Sequence, residues 1–166
     1  MEMRYREQDG VLRFRAVHIH QGRVYTGAGV VGQPIQWTGD APLGARQPAD
    51  ILHELRAAAA AEGYRPLPEH TLMIQHDGQV GTASLLGIAL SQRGFGSVEH
   101  EEPGTHDRPT IFASVVRPAQ AAACCVAALR EAGALGGAVL VSAPPDDDEP
   151  PVAHWPEGYS AAEFTV

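Results

Sequence analysis

Length, composition and charge restrict what this chain can be. It has 166 residues, with 12 basic and 20 acidic side chains and a formal net charge of -8 at pH 7. Every basic residue is arginine, and residues 1–67 carry eight of them against seven acids, whereas residues 68–166 carry four against thirteen. Because affinity for nucleic-acid phosphates depends mainly on Lys and Arg, this balance disfavours a general nucleic-acid-binding protein.

The cysteines and the lack of a long apolar segment bear on location. Cys124 and Cys125 are neighbours, and the roughly 3.8 Å between consecutive Cα atoms is too short for an unstrained disulfide. The first residues contain no apolar stretch typical of a signal peptide, and no segment is long enough to cross a membrane. We therefore expect a cytoplasmic protein with no structural disulfide and no membrane partner.

Short strands begin the chain. Residues 4–6 are predicted to form the first strand, and Asp9-Gly10 the turn that follows it. In the second strand, residues 11–20, the apolar side chains stand at even positions in the first half, Leu12 and Phe14, and at odd positions in the second, Val17 and Ile19. A one-residue bulge near Ala16 would bring these apolar side chains onto a single face.

The same bulge would gather basic and imidazole side chains on the outer face of the sheet. This predicted face is our candidate for binding nucleic acid or another partner, and it consists of Arg13, Arg15, His18, His20 and Arg23. His18 and His20 point the same way and are able to chelate a metal, but no further ligand has suitable spacing. We therefore predict no metal and no cofactor, and a solvated strand face is the alternative interpretation.

A glycine-dense segment and one helix complete the first half. Residues 23–33 read RVYTGAGVVGQ, residues 35–37 are strand-like, and residues 38–47 are predicted to be a loop. Pro48 suits the first position of an Ala-rich helix. Gly63 is expected to end that helix as a left-handed cap, with Tyr64 folding back over the last turn.

This order of hairpin, Gly-x-hydrophobic-Gly-Gln, loop, helix and terminal Gly-Tyr resembles a WGR domain over about residues 3–67. The resemblance implies a WGR-like antiparallel sheet with one helix, in a bacterial DNA-associated or toxin-related setting. In poly(ADP-ribose) polymerases, the Trp and Arg that name this family engage the phosphate end of broken DNA. Here Ala28 and Val30 stand at those two positions. Since neither can stack on a base or pair with a phosphate, we do not predict binding to DNA ends for this chain.

The second half has a different order of elements. Strands are predicted at residues 72–74, 97–102, 111–116 and 138–141, with helices at 82–93 and 118–132. This β-α-β-β-α-β pattern is typical of ferredoxin-like folds. We therefore predict an α+β protein with a WGR-like domain at 1–67, a ferredoxin-like domain at 70–143, and an acidic, proline-rich tail at 144–166.

Two polar clusters in the second half raise the alternative of a metal-assisted hydrolase. The first is His76-Asp77 and the second is the segment 100–107, which includes His100, His106 and Asp107. Both can supply metal ligands or an acid-base pair, although exposed polar loops have the same composition. The sequence shows no nucleophile with a base and an orienting group. We therefore name no catalytic residue and favour binding over catalysis.

The tail is unusual because it joins acidic residues to large apolar ones. Trp155, Tyr159 and Phe164 follow the run 146–149, which is DDDE. Such side chains seldom stay exposed without a reason, so we expect them to fold back over the protein, with binding to a partner as the alternative. The sequence favours a non-catalytic recognition protein that binds a protein partner, with weak nucleic-acid binding through the arginine-bearing strand face as the alternative.

Overall fold

The computed structural model describes residues 1–67, 69–104, 108–146 and 148–164. The chain forms two compact units. The first is Met1–Leu67 with Gln92–Gly94, and the second is Pro68–Ser91 with Phe95–Val166. One unit contains a four-stranded antiparallel sheet and the other a five-stranded antiparallel sheet. The α+β class predicted from the sequence is confirmed.

The first unit is a meander of four strands followed by one helix. Its elements are β1 (Glu2–Gln8), β2 (Val11–His20), β3 (Arg23–Val30), β4 (Gln36–Pro42) and α1 (Pro48–Ala61). Neighbours in sequence are neighbours in the sheet. The loop predicted at residues 38–47 is wrong for its first half, because β4 continues through Pro42.

β2 pairs with both neighbours without interruption. Phe14 lies opposite Tyr5 on β1 and opposite Gly29 on β3, and the register stays regular along the whole strand. The bulge predicted near Ala16 is therefore wrong. Phe14 and Ala16 are buried on one face of the sheet, whereas Val17 lies on the other face, beneath α1. The apolar side chains switch from even to odd positions because the two halves of β2 are covered on opposite faces of the sheet.

A bulge does occur, but in β4. Thr26 lies opposite Gly39 and Gly27 lies opposite Trp37, so Thr38 is an extra residue on the β4 side. Successive side chains of a strand point to opposite faces. The extra residue therefore turns Trp37 to the face that carries Tyr25, which is the re-aiming effect expected of a bulge.

The two edges of the first sheet differ. Along the outer edge of β1, Tyr5 and Arg65 exchange two backbone hydrogen bonds, with N···O distances of 2.8 and 2.9 Å. This pairing follows from the end of α1, where Gly63 has a φ of 83° and turns the chain back, as its predicted role as a left-handed cap requires. The opposite edge is β4.

In the second unit, two helices connect successive strands of one sheet. Its elements are β5 (His70–Gln75), α2 (Thr82–Ser91), β6 (Gly96–Glu102), β7 (Thr110–Val115), α3 (Pro118–Glu131), β8 (Val139–Ala143), β9 (Val152–Trp155) and a short 3-10 helix (Ala161–Glu163). The strand order is β6-β7-β5-β8-β9.

The core of the second unit lies in the centre of this sheet and in the two helices. Leu72, Ile74, Ile111 and Leu140 are fully buried. Ile74 on β5 lies opposite Ile111 on β7 and Leu140 on β8, and Leu72 shares its face two residues earlier in β5. The fifth strand, β9, comes from the predicted tail and pairs with β8. The tail therefore supplies a strand to the second unit.

Candidate functional site

The residues of the predicted basic face do not lie together. Because β2 has no bulge, Arg13 and Arg15 point to one side of the sheet and His18 and His20 to the other. Arg23 lies opposite His20 and so shares the histidine side. The predicted single face is therefore wrong, since its members occupy two faces of the sheet.

The arginine side of β2 is partly neutralised by α1 and the residues after it. The Nη2 of Arg15 lies 2.6 Å from an Oε2 of Glu62, and its guanidinium carbon lies 5.2 Å from the ring centroid of Tyr64. Arg13 is exposed. One ion pair and one ring contact thus hold the Arg15 side chain against its own unit.

The opposite side carries a row of rings that spans three strands. His18, Tyr25 and Asp40 are register partners on β2, β3 and β4. The Tyr25 ring centroid lies 6.2 Å from that of His18 and 6.3 Å from that of Trp37. The planes of Tyr25 and Trp37 meet at 74°, so these two rings form a corner.

We call this feature the aromatic groove. It has a volume of about 660 Å³ and is lined by His18, His20, Tyr25, Trp37, Thr38, Gly39 and Asp40. The size falls within the range usual for small-molecule and side-chain pockets. Every lining residue belongs to the first unit.

Gly27 sets the position of Trp37. A Cβ added at Gly27 would lie 2.7 Å from the Cδ1 of Ile35 and 3.0 Å from the Cε3 of Trp37. Only glycine leaves room for both side chains to pack against this backbone. Even so, the Trp37 side chain remains 49% exposed, so a large aromatic surface faces solvent at the groove.

The charges around the groove are few and identifiable. The Nε of Arg23 donates to the Oδ1 of Asp40 at 2.7 Å, and this hydrogen bond raises the pKa of Arg23. Burial lowers the pKa of the His18 imidazole below its ordinary value of 6.5, and the Met1 amino group and His20 act in the same direction. These effects favour the neutral form of the His18 ring.

The two histidines of the groove contact each other. Their rings stack with centroids 5.6 Å apart and planes 14° from parallel. Across residues 1–67, 69–104, 108–146 and 148–164, no group of three or more His, Cys, Asp or Glu side chains is placed to hold a metal ion. The groove thus combines its rings with the Arg23–Asp40 ion pair and the nearby Met1 amino group.

A second concavity lies between α1 and the sheet of the first unit. It has a volume of about 420 Å³, and its lining includes Val17, Leu52 and Leu55. At its rim, Arg56 donates to both carboxylate oxygens of Glu2, which lowers the pKa of Glu2. This ion pair ties α1 to β1.

In the second unit, His76 is buried and both of its ring nitrogens are engaged. The N–H of Gly78 donates to Nδ1 at 3.2 Å, and Nε2 lies 3.2 Å from a carboxylate oxygen of Glu101. Since Nδ1 accepts a hydrogen bond, the ring proton is on Nε2 and is donated to Glu101. These contacts hold the loop after β5 against β6.

The segment behind the hydrolase hypothesis is described only in part. The His100 ring stacks on Phe112 with centroids 4.7 Å apart, and its Nε2 lies 3.2 Å from Glu102. His106 and Asp107 lie outside the described residues. The described part of this segment therefore gives ring packing and one exposed imidazole–carboxylate contact.

One hydroxyl-imidazole pair has no counterpart in the sequence analysis. Ser142 Oγ and His154 Nε2 are 2.8 Å apart, and Ser142 is buried. Burial, followed by the neighbouring His70, lowers the pKa of His154. His70 is a second base, whereas a catalytic triad uses an acid to orient its histidine. The pair was missed because it needs β9, which was predicted as tail.

The aromatic residues of the tail are half-buried. Trp155 lies in β9, and the guanidinium carbon of Arg130 on α3 is 5.9 Å from its ring centroid. The amide of Tyr159 donates to Pro156 O at 3.1 Å, and that of Phe164 to Ala161 O at 3.2 Å. Trp155 thus packs on its own unit.

Comparison with protein-family models, with curated proteins and with solved structures gave no match to this chain. No helix within the described residues is both long and apolar enough to span a membrane.

Proposed function

We propose that this chain is a non-catalytic recognition protein that binds a protein partner in the cytoplasm, and that the aromatic groove is the binding surface. The observation that carries the proposal is the corner formed by Tyr25 and the half-exposed Trp37. Trp and Tyr are the side chains most enriched among the residues that dominate binding energy at protein interfaces. Each offers a large apolar surface together with one hydrogen-bonding atom.

The strand beside the groove favours a partner that binds as an extended peptide. β4 forms one edge of the first sheet, and six of its seven residues are exposed. An edge strand offers unpaired backbone groups to which a peptide can add as a further strand, while its side chains enter neighbouring pockets. Trp37 and Asp40 lie on β4 itself, so a peptide paired with β4 would lie next to the groove.

We further propose a WGR-like fold for residues 1–67 and a ferredoxin-like fold for residues 70–143, followed by the tail. Support for the first comes from the four-stranded meander and one helix that ends in Gly63-Tyr64. Support for the second comes from the antiparallel order β6-β7-β5-β8 with α2 and α3 as the two connections. Neither fold fixes a function by itself, so the proposal depends on the groove.

Selection from a displayed peptide library tests this proposal. We expect the wild-type chain to enrich peptides whose affinity falls more than about tenfold with Trp37→Ala, as for an interface anchor. Trp155→Phe is the matched control, because Trp155 is the other tryptophan of the chain. Peptides that lose affinity with Trp155→Phe and not with Trp37→Ala would contradict the proposal and move the binding surface to the tail.

Nucleic acid is tested as the competing partner. Nicked duplex DNA with a 5'-phosphate is titrated from low to physiological salt, with Arg13→Gln and Arg15→Gln as variants. The partial neutralisation of Arg15 by Glu62 predicts weak binding that salt removes. Binding that persists at physiological salt and depends on these two arginines would favour the nucleic-acid alternative.

A further inference from the structure

The rings of the aromatic groove are placed as in a site for a positively charged group. Tyr25 and Trp37 stand at 74° to one another, and the His18 ring adjoins Tyr25 on its other side. The faces of aromatic rings carry partial negative charge, so a cation against them is attracted. Tyr25 and Trp37 meet edge to face, so their contact covers part of one ring, and the exposed surface of Trp37 beside it is what this corner offers to one small ion.

A carboxylate completes the arrangement. Asp40 lines the same groove and lies opposite Tyr25 in the sheet register. Its Oδ1 accepts a hydrogen bond from Arg23, and the Asp40 side chain is about half exposed, at 51%. The carboxylate thus attracts a cation to the groove, while Arg23 competes for the same charge.

The kind of cation follows from what the groove offers. A primary ammonium has three N–H donors that need partners, and the lining is dominated by ring faces. A quaternary ammonium has no N–H, carries its charge over its methyl groups and loses little hydration on entering such a corner. Aromatic cages that bind methylated amines use this chemistry.

The position of the groove beside an edge strand indicates the source of that cation. A peptide strand added along β4 would lie next to Trp37 and Asp40, and the four-carbon stem of a lysine side chain can reach from such a strand into the groove. We propose that the aromatic groove recognises a methylated lysine on a peptide that pairs with β4. This inference rests on the proposed function and names the group that the partner presents.

The first test measures the cage chemistry with small molecules. Trp37 fluorescence is followed in a Trp155→Phe chain titrated with choline and with 3,3-dimethylbutan-1-ol, its neutral analogue of the same shape. We expect choline to bind at least about fivefold more tightly. Calorimetry of the wild-type chain gives the same comparison without the variant. Equal affinity for the two probes would overturn the proposal, since shape rather than charge would then be recognised.

Two substitutions of one ion pair separate a binding role for Asp40 from a structural one. Asp40→Asn removes the attracting charge and is expected to weaken choline binding by about threefold to fivefold. Arg23→Gln removes the competing charge and is expected to tighten it by about twofold. Both variants break the Arg23–Asp40 pair, so effects of the same sign would show that only the pair matters and would contradict the proposal.

The second test identifies which kind of molecule, a peptide or a lipid, presents the methylated ammonium to the groove. A short Val/Thr-rich peptide with a central trimethyllysine is compared with the same peptide carrying lysine or leucine, and with phosphatidylcholine vesicles. The proposal predicts the order trimethyllysine, lysine, leucine, with no stable vesicle binding. Vesicle binding that depends on Trp37 would overturn the peptide source. Library peptides that need Trp37 while choline fails to bind would leave the proposed function standing and refute the ammonium.

Discussion

Two histidines of the second unit and two of the first are used in different ways. In the second unit, His76 is buried with both ring nitrogens hydrogen-bonded, and His154 lies 2.8 Å from Ser142 Oγ. In the first unit, the contacts that the structure describes for His18 and His20 are with other rings. A buried imidazole whose nitrogens are satisfied by its own protein serves the fold. Rings that line an open groove leave the part of their surface that no neighbouring ring covers to a ligand.

The comparison predicts its largest effect at His76. Replacing His76 by Ala removes a buried ring and leaves the Gly78 N–H and the Glu101 carboxylate without this partner. We expect the free energy of unfolding to fall by about 3 kcal/mol. Urea unfolding followed by far-UV circular dichroism measures it.

His18→Ala is the matched substitution in the first unit. Because the His18 ring borders the groove, we expect its loss to change the free energy of unfolding by about 0.5 kcal/mol or less. If His18→Ala were as destabilising as His76→Ala, the distinction between fold histidines and groove histidines would be wrong.

Gly27→Ala, beside the groove, should lower the free energy of unfolding by no more than His76→Ala does. The added Cβ would overlap the Ile35 and Trp37 side chains, so we expect a loss of about 1–3 kcal/mol in the free energy of unfolding and an altered Trp37 emission. Gly136→Ala is the control, since a Cβ there has no atom within 4 Å. An unchanged emission in Gly27→Ala would show that this glycine does not position Trp37.

A further small effect is a pH dependence shared by the two units. The pKa values of His18 and His154 are lowered by folding, so the unfolded chain binds more protons just below pH 6.5. Stability should therefore fall as the pH drops from 7 to 5, and the loss should be small because solvent screens both partly exposed imidazoles. Urea unfolding at several pH values measures it.

One carboxyl works in the opposite direction. Burial, followed by the charge of Glu99, raises the pKa of Glu69, so its contribution to stability increases as the pH falls. His154→Gln isolates the histidine contribution, because Glu69 is kept. The variant should show a shallower loss of stability between pH 7 and 5, and an identical slope would contradict the assignment to His154.

Much of the secondary structure was predictable from local patterns. Alternating apolar residues and turn dipeptides marked β2, and proline at Pro48 and Pro118 marked where α1 and α3 begin. The β-α-β-β-α-β order followed from the spacing of apolar runs in residues 70–143. These signals are local, so they can be recognised in the sequence without knowledge of the tertiary contacts.

The groove was not predictable in the same way. The parity change in β2 was assigned to a bulge, whereas each half of the strand is covered on a different face. Trp37 joins Tyr25 only because β4 has an extra residue at Thr38, and this depends on strand pairing. The nearest sequence signal was the combination of Tyr25, Gly27 and Trp37, in which a glycine makes room for a ring.

The tail illustrates the same limit. Its acidic run and prolines predicted a tail without a strand, yet Val152–Trp155 forms β9. A four-residue strand beside Pro150 and Pro151 has too little pattern of its own to be recognised. Its strand conformation comes from the free edge of β8, which is a tertiary feature.

One spectrum of the wild-type chain tests the central claim most directly. The protein has two tryptophans, so a nitrogen-proton correlation spectrum contains two indole signals, one from Trp37 in the groove and one from Trp155 in β9. Tetramethylammonium chloride is added against sodium chloride at equal ionic strength. The account predicts a saturable shift of the Trp37 signal with Trp155 unmoved. Equal behaviour of the two signals, or equal effects of the two salts, would contradict it.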